Sequence, residues 1–299
     1  DPETLLSLYQ NSDAIYVATF DKITRGEVTD SNENYSVVAI QKHFTVSSAL
    51  KGTSRKFFVV NDQEYEYKTV AAEPAAATSG DAEAAEEPQE ELPEEEEMEE
   101  PADGLSGGDT VLLFVKDGTE EEGPTLTDFR DGVKPLSLDD LGVYEERIKE
   151  LNSLFGKKKP SETQLLEWLI RCAENPATRW EGTFELLRSV QAEEWNKEMA
   201  ERRRERLEQG LPVEEVVGEP NPRSADEEGE DEVAHKNFDT SVFAKILDAG
   251  HKQRLANILL DREADRVEKP DGEKPGYIAG DNELIELIKR WDDPRLIAF

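Results

Sequence analysis

One stretch of the chain spells a catalytic pattern. Gly104-Leu105-Ser106-Gly107-Gly108 fits G-x-S-x-G, in which a strained strand-to-helix turn exposes the serine hydroxyl as a nucleophile. Here an acidic run precedes Ser106 and a strand-like run, Thr110 to Val115, follows it, so the required context is reversed. The residues predict a glycine turn instead. His43, His235 and His251 are never three or four positions apart, and none neighbours Cys172, so the spacing supports no zinc site. Cys172 is the sole cysteine; it allows no intrachain disulfide and reads as a small buried hydrophobe. Counting back from Asp131-Gly132 and Asp271-Gly272, a calcium loop would begin at Thr127 or Val267, and neither side chain is the acid that first position requires. No glycine run has the G-x-G-x-x-G spacing or a following Lys-Ser/Thr that cradles phosphate. Asp139-Asp140 and Glu145-Glu146 read as helix-start acids favoured by the macrodipole. The expectation is no catalytic, no cofactor-binding and no metal-ligating residue, and no cofactor.

The charge decides what kind of partner is excluded. With 69 acidic and 35 basic residues in 299, the formal charge is −34, a field that repels phosphate backbones and anionic lipid surfaces. No nucleic acid is expected as a partner. No apolar run approaches the roughly 18 to 20 residues that span a bilayer, so no membrane insertion is expected in the mature chain. The acidity is unevenly spread: residues 71–108 hold fourteen acids and no Lys or Arg, and residues 214–232 hold nine acids and one Arg, leaving −12 for the remainder. Both stretches lack the apolar side chains that offset the entropy of ordering, and read as a disordered insertion (71–108) and a disordered linker (211–237). The glutamates read as a solubilising spacer, with weak association of Ca²⁺ or capture of a basic partner as the functional alternative.

The elements that would position any site divide in two. Ala14 to Phe20 is apolar on both faces, the pattern of a strand buried on both sides. A charged turn is expected over 21–34. Tyr35 to Val46 then places Val38, Ile40, Phe44 and Val46 on one parity, interrupted by Lys42. With Lys56 to Val60, Tyr65 to Val70 and Thr110 to Val115, five short strands predict a small antiparallel barrel or sandwich over residues 1–155, with Leu138 to Leu154 as its closing helix. The order of Asp13-Ala14 before an apolar strand, Ala49-Leu50-Lys51-Gly52 closing the second, and Gly108-Asp109 leading into Leu112-Leu113-Phe114 resembles the OB-type β-barrel domains of exported bacterial proteins related to the netrin and tissue-inhibitor-of-metalloproteinase group. The resemblance implies the fold; a periplasmic or extracellular location is a separate expectation. It does not imply inhibition, because that group chelates zinc through an N-terminal cysteine, and this chain begins with Asp1 and has no cysteine before Cys172.

Residues 160–299 read as an all-α bundle or short helical-repeat array. Ser161 and Gln164 form a capping box ahead of Leu165, Leu166, Trp168, Leu169 and Cys172. Asn175-Pro176 is expected to start the helix carrying Trp180, Phe184, Leu187 and Val190, and a separate charged helix is expected over 192–209. Glutamates cancel its Arg202-Arg203-Arg204 cluster. Asp239 and Asp281 are read as caps of later helices, and the Asn-Pro and Asp-Pro starts resemble HEAT-type helical pairs, without a clean repeat period. Trp168, Trp180, Trp195 and Trp291 fall at apolar helix positions and read as core.

These readings lead to an α+β multidomain chain that binds an unknown protein partner without catalysis. A carboxylate-dependent hydrolase with its site between the two domains, and an acidic surface protein binding divalent cations at low affinity, are the alternatives.

Overall fold

The computed structural model describes residues 2–32, 34–67, 105–118, 123–156, 159–209, 241–268 and 278–291. Residues 71–104 and 211–237, His235, Asp239 and the Asp271-Gly272 pair lie outside them, whereas residues 105–108, expected within the disordered insertion, form an ordered turn with Leu105 buried. A short helix opens the chain, α1 (Leu5–Asn11), capped by the Thr4 side chain. Six antiparallel strands follow: β1 (Ala14–Ser31), β2 (Tyr35–Lys51), β3 (Phe57–Tyr67), β4 (Thr110–Lys116), β5 (Thr125–Leu126) and β6 (Val133–Pro135). Their order is β3-β2-β1-β4-β5, and β6 pairs with β4 alongside β5. The sheet is therefore open, with β3 at one edge and the short β5 and β6 at the other.

The expected turn over 21–34 is strand as far as Ser31, because β2 is long enough to pair with it out to Ser31↔Ser36. Likewise the run at 56–60 and the described part of the run at 65–70 join into the single strand β3, paired with β2 from Thr45↔Phe57 to Tyr35↔Tyr67. Five register shifts interrupt the β1–β2 ladder. Such bulges bend a strand and increase its twist, which curls this sheet around an inner apolar cluster.

Strand parity then divides the core. Tyr16, Ala18, Phe20, Val111, Leu113 and Val115 face inward, with Phe44, Phe58 and Val60. Ile15, Val17, Leu112 and Phe114 face the helices. The helices are α2 (Leu138–Phe155), α3 (Glu162–Glu174), α4 (Arg179–Glu208), α5 (Val242–Ile246), α6 (Ala249–Glu268) and α7 (Asp281–Lys289). One cluster runs from Ile15 and Phe114 through Tyr144, Ile148 and Leu151 of α2 to Trp168 of α3, Leu186 of α4, Leu255 of α6 and Leu287 of α7.

The capping box at Ser161 and Gln164 forms as its spacing predicts. The next helix starts later than Asn175-Pro176: Asn175 caps the end of α3, and α4 begins at Arg179 and runs unbroken for 30 residues, joining the two helices expected there. Asp281 is the first helical residue, after Gly280 at φ 95°, and its carboxylate is held by Arg179 at 2.7 Å instead of capping its own backbone. Gly182 lets α4 press on α3, since a Cβ there would lie 2.2 Å from the Leu169 carbonyl oxygen.

Candidate functional site: a groove in the open side of the sheet

Where the curled sheet fails to close, a cavity of about 680 Å³ remains. Val60 and Asp62 of β3 and Lys42 of β2 line one wall; Leu126 of β5 and Val133, Lys134 and Pro135 of β6 line the other. Leu105 joins the lining from the turn before β4, Phe129 and Arg130 from the β5–β6 turn, and Trp180 from the start of α4. That turn is built by Asp128, whose Oδ1 accepts from the N–H groups of Arg130 and Asp131, each at 2.8 Å. Gly132 belongs to the same turn, and a Cβ on it would meet the Asp128 carbonyl oxygen at 2.3 Å.

The charged groups of the groove are largely satisfied within the protein. Lys42 donates to Asp62 at 2.5 Å, with both side chains only 10% exposed. Asp131 accepts the Glu3 backbone N–H at 2.7 Å. Lys134 passes within 5.5 Å of the Trp180 ring centre and donates to Glu181, which lies behind the groove. The walls thus combine apolar side chains with neutralised ion pairs, the make-up of a binding cleft with a few fixed polar groups.

Behind Lys134 lies a buried polar centre that no sequence motif announced. Glu181 also accepts the Leu5 N–H at 2.6 Å and the Tyr144 hydroxyl at 3.0 Å. One turn further along α4, Glu185 accepts the Thr4 hydroxyl through Oε1, while its Oε2 has no partner. The two glutamates thereby tie the start of α1 to α4. Burial pushes the Glu185 carboxyl up, and burial followed by the nearby Glu181 charge pushes the Tyr144 phenol up. Beside this centre the Cys172 thiol is fully buried, and desolvation raises its pKa, so it lacks the thiolate character of a reactive cysteine.

The remaining sequence candidates are scattered. Ser106 sits in an exposed turn closed by its N–H on Asp109 Oδ2 at 2.7 Å, with strand β4 after it. His43 lies on β2 with Nε2 3.0 Å from the Thr24 hydroxyl. His251 lies on α6 with Nε2 2.8 Å from Glu167 of α3. Arg254, one turn on, bridges Glu167 and Glu174 at 2.8 Å each. None of these four residues lines the groove. Of the tryptophans, Trp168 is core, donating from Nε1 to the Arg147 carbonyl at 3.2 Å, Trp180 is half-buried in the groove wall and Trp195 is exposed. Among the described residues no cluster of three His, Cys, Asp or Glu is placed to hold a metal, and no helix is long and apolar enough to cross a membrane.

One groove residue had a signal in the sequence: Lys42, the charged interruption in an otherwise apolar parity, points inward to Asp62. Lys134 and Glu181 had none, since each is an ordinary charge until α4 packs beside β6. No family model, curated protein or solved structure matches the chain.

Proposed function

We propose that this chain is a non-enzymatic binding module that holds another protein in the groove of its open sheet. The observation that carries this reading is the groove itself, an apolar-walled cavity between two sheet edges with its ion pairs already neutralised. Such a surface recognises by burial and shape. The exposed Phe129 ring at the rim adds apolar area of the kind that anchors protein interfaces. A kinship with OB-type barrels and an exported location belong to the same proposal; a signal sequence upstream in the genomic reading frame would support the latter.

A carboxylate-dependent hydrolase is less favoured. It needs converging acids with separated pKa values in a cleft, and Glu185, which burial shifts upward, lies under α1 and not in the groove.

The test is affinity capture from native extract at physiological salt with the full chain and with Phe129→Ala. Phe129 is 69% exposed, so the substitution leaves the core untouched. The expected result is a protein retained by the parent chain and depleted several-fold by the variant. Recovery of nothing, or equal recovery by both, would overturn the reading.

A further inference from the structure

Resting on that reading, we propose that the groove accepts a β-strand: an extended segment of a basic partner lies along the free edge of β3 and closes the open side of the sheet. Three observations lead there. First, among the described residues β3 is the edge strand and is long, eleven residues from Phe57 to Tyr67, whereas β5 and β6 have two and three residues, and β6 contains Pro135, which lacks an N–H. The row of main-chain groups able to receive a new strand therefore belongs to β3. Such edges are a template for pairing, and strand addition draws its affinity from main-chain hydrogen bonds.

Second, side chains alternate along β3. Phe58 and Val60 point inward, while Phe57, Val59 and Tyr65 are exposed at 68%, 41% and 55%. A strand laid beside β3 would direct every second side chain into the groove against Val60, Leu126 and Val133, which selects a segment with apolar residues at alternate positions. Third, the chain carries a formal charge of −34, while Asp62 and Glu64 of β3 share the inward parity of Phe58 and Val60 and are held by Lys42 and Arg25. That long-range field attracts a basic segment, and with the apolar side chains of the segment in the groove its basic side chains lie on the outward face. The same net charge disfavours a second copy of this chain as the occupant.

The probe is a synthetic peptide of roughly 10 residues in which Val or Ile alternates with Lys, titrated calorimetrically into the full chain. Two controls accompany it: an isomer of the same composition rearranged to helical period, and the counterpart with Glu for Lys. The alternating basic peptide is expected to bind, with both controls at least ten-fold weaker. Phe129→Ala and Val60→Thr should each weaken binding several-fold without altering the circular dichroism of the chain. A ¹³C-carbonyl label in the bound peptide should show the infrared shift of a paired strand.

Equal binding of the isomer or of the acidic peptide overturns the proposal, as does binding without the strand signature. Binding that survives both groove substitutions but vanishes on deletion of residues 71–104 also overturns it, in favour of simple electrostatic capture. Sedimentation showing a dimer that Val59→Lys dissociates would assign the edge to a second copy instead. If Phe129→Ala loses a native partner while no alternating peptide binds, strand addition fails and the protein-binding reading stands.

Discussion

Glu181 and Glu185 are identical side chains one helical turn apart, and their surroundings separate them. Glu181 is fully engaged by Leu5 N–H, Lys134 and Tyr144, so Glu181→Ala strands a lysine beside a cavity and frees two donors. Breaking such a buried pair costs about 3 to 5 kcal/mol. Urea unfolding of the variant should show a loss of that order, and Glu181→Gln, which keeps an acceptor, a smaller one. Glu185 acts with the opposite sign. Its folded-state pKa is raised by burial, so folding takes up a proton between the unfolded value, about 4.3, and the higher folded value. Its contribution to stability falls as pH rises through that window, and below it the acid is protonated in both states and adds no slope. Glu185→Gln should therefore flatten the stability profile above about pH 4.3, read from urea midpoints across pH; an unchanged slope would show that Glu185 ionises normally.

At the scale of elements, the contacts that set helices and strands against one another are few and specific. Lys51 donates to the Tyr9 and Ser12 carbonyls at 2.7 and 2.5 Å, satisfying the end of α1. The next residue, Gly52, has φ +78°, and a Cβ on it would approach the Asp13 carbonyl oxygen and the Ala14 Cβ to 2.8 Å. The Ala49-Leu50-Lys51-Gly52 and Asp13-Ala14 signals of the sequence thus meet in space as one structural joint. Gly182→Ala, which drives a methyl into the α3 backbone, should lower stability by about 1 to 3 kcal/mol, the range of overpacked cores, measured by thermal or urea unfolding.

The link between α3 and α6 should be sensitive to acid. Hydrogen bonding from Arg254, reinforced by His251, holds the Glu167 carboxyl below its usual range. Its stabilisation is present above the unfolded pKa of about 4.3 and is lost as pH falls through the lower folded value. Arg254→Gln should remove part of the acid-side decline in stability and leave the slope due to Glu185 in place. Helix existence was legible at this scale because amphipathic spacing and caps are local, as at Ser161 and Gln164. Helix joints were less so: Pro176 suits a first helical turn, but α4 begins at Arg179, where the side chain can reach the Ala173 carbonyl and Asp281.

For the whole molecule, residues 71–104 hold fourteen acids, no Lys or Arg, and only Leu92 and Met98 as large apolar side chains. Deleting that stretch with a short bridge should leave the thermal midpoint within a few degrees, because closure entropy changes only by about 0.6 kcal/mol per doubling of loop length. Scanning calorimetry of the two chains checks this. A large loss would mean that the acidic stretch contributes to the folded state.

The expectation that phosphate-rich partners are disfavoured came from net charge, and the two-part arrangement of strands and then helices from hydrophobic period, because both depend on composition and on neighbours along the chain. The α1 helix escaped notice because seven residues carry too little periodicity to register, and it stands on a cap and on two glutamates 176 and 181 residues away. The reach of β1 through its charged half depended on β2 being there to pair with it. The groove belongs wholly to tertiary structure: bulges curl the sheet, the edges stop short of each other, and Lys42, Lys134 and Glu181 acquire partners only across that gap. An ion pair between distant residues is decided by packing, and only the misplaced parity of Lys42 left a trace of it in the sequence.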